Sequence, residues 1–190
     1  MDILKKRILE DGLVLEGNIL KVDNFLNHQI DVGLLDEMAH EFHRLFSGEK
    51  ITKILTVESS GISVACAVGR VFGVPVLFAK KGNSRTLSES TYREESYSFT
   101  KKESYVMNVS KKYLSDADTI LIIDDFLANG LAIDALLGII TQSGARLAGV
   151  GIVIEKAFQL GGKKLREKNI RLESLAIIAS MANGKITFKE

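Results

Sequence analysis

Cysteine is almost absent from this chain. The single Cys66 excludes an intramolecular disulfide framework, and its place in the apolar stretch 62–71 predicts inert packing in the core. No segment approaches the roughly 18 consecutive apolar residues of a membrane span. Residues 1–12 show neither a long apolar run nor a small-residue cleavage site, so the expectation is a cytoplasmic protein with no membrane partner. An excess of charge is missing too. The formal net charge is +1 over 190 residues, which argues against electrostatic capture of nucleic acid or a membrane surface. There is no internal repeat and no linker-like segment. With 46% apolar and 26% charged residues, a single domain over 1–190 can bury a substantial core.

What is present centres on residues 119–132, T-I-L-I-I-D-D-F-L-A-N-G-L-A. The apolar run 120–123 reads as a strand buried on both faces in a parallel sheet. Asp124 and Asp125 come where that strand is expected to end. The small residues Ala128, Asn129 and Gly130 follow, and then Leu131, Ala135, Leu136, Ile139 and Ile140 at helical spacing. In open α/β sheets ligands sit at the carboxyl ends of strands. Amides at a helix N-terminus lack intrahelical acceptors and carry the positive end of the dipole, so such a loop suits a phosphate. Two carboxylates beside it would repel a bare phosphate but suit sugar hydroxyls or a Mg²⁺-linked group, and a sugar phosphate satisfies both halves. Taken alone, the stretch equally suits two solvated aspartates and an ordinary βα turn.

The rest of the chain builds around this unit. Residues 2–10 read as a short helix, 13–22 as a β-hairpin around Glu16, Gly17 and Asn18, and 23–29 as an irregular polar segment. Residues 32–46 form an amphipathic helix capped by Asp31. His40 and His43 lie on it, but with no third ligand nearby they read as a solvated or partly packed face. A strand at 51–57, a helix at 61–72 and a strand at 74–79 make a βαβ unit. Its first turn, Glu58, Ser59, Ser60 and Gly61, suits a second phosphate or, alone, a plain Ser-rich helix cap. Residues 80–103 are polar, and a connection of this kind serves as a lid or is disordered. Residues 97–99 and 105–109 read as hairpin arms, with the part nearer Lys81 mobile. Strands at 147–154 and 171–179 flank a short basic helix at 161–168, and a turn at Asn183 and Gly184 leads into 185–188. The N-terminal hairpin (within 1–30) and the C-terminal strands (within about 155–190) fall outside the βαβ pattern and form a small hood over the sheet edge.

Four separated motifs carry a resemblance: the acidic-pair loop, E-S-S-G at 58–61, K-K-G at 80–82 and I-E-K-A-F at 154–158. Together they resemble the type I phosphoribosyltransferases, and the chain is similar over its whole length to the xanthine phosphoribosyltransferases. The resemblance implies an α/β fold with a parallel sheet flanked by helices, the hood, and a flexible loop and hairpin after the second βαβ strand. It implies purine salvage, with phosphoribosyl diphosphate and xanthine giving xanthosine 5′-monophosphate and diphosphate, and a homodimer. Asp124 and Asp125 would meet the ribose, and Ala128, Asn129, Gly130, Leu131 and Ala132 the 5-phosphate. Glu58, Ser59, Ser60, Gly61, Lys80 and Lys81 would meet the diphosphate. Phe126 and Phe158 would sandwich the purine, Lys156 would donate to an exocyclic oxygen, and Leu20 and Asn27 would close the hood. Leu20 also suits simple packing, and Lys156 a solvated position. Mg²⁺ would be held mainly through phosphoribosyl diphosphate, without a dedicated protein cage.

Two departures stand out. Hypoxanthine–guanine relatives carry an aspartate where this chain has Ala128, so that proposed general base is missing, and no histidine replaces it. Asn129 and Ala132 stand where phosphate-loop threonines are common, leaving more of the binding to backbone amides. Xanthine is weakly acidic and arrives partly as the anion, which reduces the need for a base. Two alternatives remain at this point: the same chemistry on hypoxanthine, guanine or adenine, and a transcriptional regulator built on the same fold. The regulator needs a DNA-binding module, and the residues before the first βαβ strand carry no basic recognition stripe.

Overall fold

In a computed structural model, residues 1–82, 90–98 and 103–189 are described. The chain opens with helix α1 (Asp2–Asp11) and a two-stranded hairpin, β1 (Leu13–Leu15) and β2 (Ile19–Lys21). Gly17 and Asn18 at its tip have φ of 76° and 62°, the left-handed pair that matches a tight hairpin to strand twist. A π-helical turn (Asp23–Asn27) buries Phe25 and Leu26 and leads into α2 (Val32–Leu45). Asp31 caps that helix by accepting from the Leu34 amide at 3.1 Å.

The central unit follows: β3 (Lys53–Val57), α3 (Gly61–Phe72), β4 (Val76–Lys81), then a hairpin of β5 (Thr91–Ser98) and β6 (Glu103–Ser110). Next come β7 (Thr119–Leu127), α4 (Leu131–Ser143), β8 (Arg146–Lys156), α5 (Leu160–Glu167), β9 (Leu172–Ser180) and β10 (Thr187–Phe188). The sheet runs β10-β9-β8-β7-β3-β4-β6-β5, with β9, β8, β7, β3 and β4 parallel and the other three antiparallel to their neighbours. From β3 the chain steps to β4 on one side. From β7 it steps to β8 and β9 on the other. The β3/β7 boundary is therefore the switch point, where a crevice opens at the carboxyl ends.

Apolar packing divides between the two faces. Leu121, Ile123 and Ile54 pack with Phe42, Met38, Val64 and Val68 of α2 and α3, and with Leu20 of the N-terminal hairpin. Ile120, Ile122 and Leu55 pack with Ile133, Leu136 and Ile139 of α4 and Leu165 of α5. The N-terminal segment reaches the other end of the chain: the Met1 ammonium donates to Leu175 O at 2.8 Å, and Lys156 Nζ donates to Asn18 O at 2.9 Å.

The structure departs from the sequence expectations in three places. Strand β7 does not stop before the aspartates. Pairing with β8 continues through Phe126↔Ile154 and Leu127↔Glu155, so the acidic pair lies within the strand and is buried. The hairpin arms are longer than expected. Residues 91–96, expected in the mobile part, pair with β6, while 83–89 and 99–102 lie outside the described residues. That strand was hidden because polar groups occupy its inner side: Ser96 Oγ donates to Leu131 O at 3.3 Å, and Gln142 Nε2 donates to Arg93 O at 2.8 Å. Cys66, expected in the core, is exposed. The buried stripe of α3 is Gly61, Val64, Ala65, Val68 and Gly69, and Cys66 falls off that i, i+3, i+4 face.

Candidate active site

The 128–130 loop joins the end of β7 to α4. Gly130 is the N-cap with φ 83°, a conformation that L side chains rarely adopt, and no side chain caps the helix. The Asp134 amide bonds Gly130 O at 2.8 Å, so the ladder starts there and the first-turn amides of residues 131–133 remain free for an anion. Ala128, Asn129, Gly130, Leu131 and Ala132 line a cavity of 480 Å³. Phe126 and Lys156 form another wall, with Lys156 Nζ 5.4 Å from the ring centroid. Burial lowers the Lys156 pKa from its ordinary range.

Asp124 and Asp125 are 5% and 6% exposed, and Asp124 Oδ1 accepts the Asp125 amide at 3.0 Å. Burial, reinforced by the neighbouring Asp125, pushes the Asp124 carboxyl well above its usual range, while Lys81 pulls it the other way. A hydroxyl-bearing sugar or a divalent cation near this pair would restore the charged form. Gly61 seats the start of α3 directly against Asp124. An ideal Cβ on Gly61 would fall 2.3 Å from Thr56 Oγ1 and 2.8 Å from Asp124 Oδ1. Thr56 is itself fully buried, and its hydroxyl has no hydrogen-bond partner.

The Glu58–Ser59 peptide is cis. Glu58 Oε1 accepts from the Lys81 amide, joining the ends of β3 and β4. Lys80 and Lys81 lie at the end of β4, and Lys81 Nζ sits 5.5 Å from the Tyr105 ring centroid. The turn 58–61, the two lysines and the acidic pair thus occupy the same carboxyl edge as the cavity without lining it.

The base-site candidates separate. Phe126 and Lys156 line the cavity. Phe158 is 38% exposed and does not line it, Leu20 is buried in the core, and Asn27 is exposed on the π-helical turn. From the hairpin it is Gly17, Asn18 and Ile19 that reach the cavity, joined by Tyr97, Tyr105 and Gln159. Sequence reasoning had not placed these six at the site. The signals for them were the Gly17–Asn18 turn and the hairpin arms read at 97–99 and 105–109. Among the described residues, no group of three or more His, Cys, Asp or Glu is arranged to hold a metal ion. A larger hollow of 600 Å³ lies at the amino ends of β3 and β4. Its Lys53 ammonium is engaged by Asp118 at 2.9 Å and Tyr113 O at 2.6 Å, and its other lysine, Lys112, sits 5.5 Å from the Tyr113 ring centroid.

A helix N-terminus without a side-chain cap, an acidic pair and a second βα turn gather at the switch point of an open α/β sheet. Residues 21–177 match the phosphoribosyl transferase domain model, and the chain belongs to that family. A protein of Ruminiclostridium cellulolyticum named xanthine phosphoribosyltransferase is 57% identical over 190 residues, 100% of both chains. One of that name from Clostridium novyi is 55% identical over 189 residues, again 100% of both. Among solved structures, adenine phosphoribosyltransferase from Trypanosoma brucei superposes with a TM-score of 0.76 at 17% identity, covering 92% of this chain and 78% of that one. The enzyme from Rhodothermus marinus gives 0.74 at 16%, covering 93% and 99%. These two likenesses concern the fold.

Proposed function

We propose that this chain catalyses purine salvage, transferring the ribosyl 5-phosphate of phosphoribosyl diphosphate to N9 of xanthine. The N9–C1 bond forms as the bond from C1 to the diphosphate oxygen breaks, and the N9 proton passes to solvent. Products are xanthosine 5′-monophosphate and diphosphate. The carrying observation is the 480 Å³ cavity with free helix amides on one wall and the Phe126–Lys156 pair on another.

The reaction builds positive charge on the ribose and negative charge on the leaving diphosphate, so positioning and electrostatics supply most of the acceleration. The 5-phosphate seats on the amides after Gly130. Asp124 and Asp125 take the ribose hydroxyls and face the developing positive charge. The 58–61 turn with Lys80 and Lys81 receives the diphosphate. Phe126 stacks on the purine, and Lys156 donates to an exocyclic oxygen. Asp124 and Asp125 are the carboxylates that would help hold Mg²⁺ carried in on phosphoribosyl diphosphate, and the ion would supply charge neutralisation of the diphosphate. The N-terminal hairpin and the C-terminal segment act as a hood within one domain, the protein works as a homodimer, and it resides in the cytoplasm. No helix among the described residues is long and apolar enough to cross a membrane.

Incubation with phosphoribosyl diphosphate, Mg²⁺ and xanthine, followed by mass spectrometry, tests the reading. Xanthosine 5′-monophosphate and diphosphate in equal amounts are expected, and the absence of both overturns it.

A further inference from the structure

Helix α5 begins with Leu160 and two glycines, and each glycine faces a different partner. The Gly161 amide donates to Ala128 O at 2.9 Å. An ideal Cβ there would sit 2.5 Å from that oxygen and 2.9 Å from the Gly130 nitrogen. Gly162 lies over a buried carboxylate, where its Cβ would meet Glu155 Oε1. Close approach, not backbone freedom, is what both positions require, since neither has a positive φ.

Glu155 immediately precedes Lys156 in β8 and is 1% exposed. Arg166, one turn along α5, grips it with two bonds of 2.6 and 2.8 Å, and Ser174 of β9 adds a third at 2.6 Å. Such a two-pronged pair fixes orientation as well as distance. Beyond the end of α5, Lys168 Nζ bonds Asp134 Oδ1 at 2.7 Å in the first turn of α4. Helix α5 is therefore fastened to the strand that carries Lys156 at one side, and to the loop and helix around Gly130 at the other.

We infer that Gly161, Glu155 and Arg166 are positioning residues that hold the 128–130 loop at a set distance from Lys156. They keep the sugar phosphate and the base in register for attack. The inference rests on the phosphoribosyl-transfer reading. Its physical basis is that bringing two reactants into near-attack geometry carries much of such a reaction, and a displacement of about 1 Å costs about 10²-fold in rate. Gly161→Ala displaces the loop, and Arg166→Lys keeps the charge while losing the planar fork.

Calorimetry with phosphoribosyl diphosphate and steady-state kinetics on both variants provide the test, alongside thermal melting. Gly161→Ala is expected to weaken phosphoribosyl diphosphate binding about tenfold and lower kcat about 10²-fold, with the KM for xanthine within about twofold of wild type. Arg166→Lys is expected to lower kcat about tenfold with the same split. A merely structural role lowers the melting temperature and leaves both KM values unchanged. Folded Gly161→Ala with wild-type affinity and kcat overturns the inference. If Gly161→Ala does not fold, wild-type affinity and kcat in Arg166→Lys overturn it. Wild-type protein that binds no phosphoribosyl diphosphate overturns the functional reading, and this inference with it.

Discussion

Gly61→Ala is a one-methyl test of how the acidic pair is held. Gly61 opens α3, where alanine would ordinarily gain about 0.5–1 kcal/mol over glycine. Here the added Cβ lies 2.3 Å from Thr56 Oγ1 and 2.8 Å from Asp124 Oδ1, roughly 1 Å short of ordinary contact. Neither neighbour can retreat easily. Thr56 is fully buried and β-branched, and Asp124 is buried and bonded to the next amide. Overpacking of this kind costs about 1–3 kcal/mol, which outweighs the helical gain. The expected net loss is about 1 kcal/mol in urea unfolding, with a much larger loss of turnover because the displaced group is Asp124. Gly33→Ala in α2 is the control. Its nearest neighbour would be Asp31 Oδ1 at 3.5 Å, so only the helical gain is expected. Thr56→Ala removes the nearer obstacle, and the double variant should recover about 1 kcal/mol relative to additivity. Gly61→Ala that matches Gly33→Ala in stability and retains wild-type turnover would show that the added methyl does not displace Asp124.

Asp124→Asn and Asp125→Asn should each lower kcat sharply while leaving the circular dichroism spectrum intact; near-wild-type turnover in both would mean the pair is not part of the site. Gly130→Val should abolish phosphoribosyl diphosphate binding by calorimetry, since position 130 has φ 83° and an ideal Cβ would already stand 3.1 Å from Gly161 Cα. At Glu155, burial pushes the carboxyl up, but Arg166 and Ser174 more than offset it and hold the pKa below the ordinary 4.5. A depressed folded-state value contributes stability above pH 4.5 that is lost as pH falls through the folded pKa. Glu155→Gln should therefore lose about 1.5–3 kcal/mol at pH 7, and denaturant midpoints of the two proteins should converge in acid; a gap independent of pH would contradict this.

The strand–loop–helix signals around Asp124 and Glu58 were legible because they are local: apolar runs, small residues and a change of period fall within a few positions. What tertiary packing decides was not. In a three-residue strand a shift of one position exchanges faces, so Leu20 packs into the core while Ile19 reaches the cavity. Tyr97 and Tyr105 approach the site only because β5 docks on α4 through Ser96 and Gln142, pairings with partners 35 and 49 residues away. Arg166 read as one cation of a basic helix. Its partner, Glu155, is hidden in β8, and nothing in the spacing announces a buried pair. The length of β7 was underestimated because two aspartates read as a strand end, whereas pairing with β8 continues beyond them.

In the proposed function one cavity presents a sugar phosphate and a xanthine ring to each other. It is tested most directly by kcat/KM for xanthine, guanine, hypoxanthine and adenine in wild type and in Lys156→Ala. Xanthine differs from hypoxanthine by an oxygen at C2, so a donor is needed there, and guanine would oppose it with a donor of its own. Wild type is predicted to prefer xanthine. Lys156→Ala should raise the KM for xanthine more than for hypoxanthine, narrowing the preference by about 1–3 kcal/mol. Equal losses on xanthine, guanine and hypoxanthine would mean that Lys156 reads no base, and a wild type that prefers adenine would overturn the proposed function.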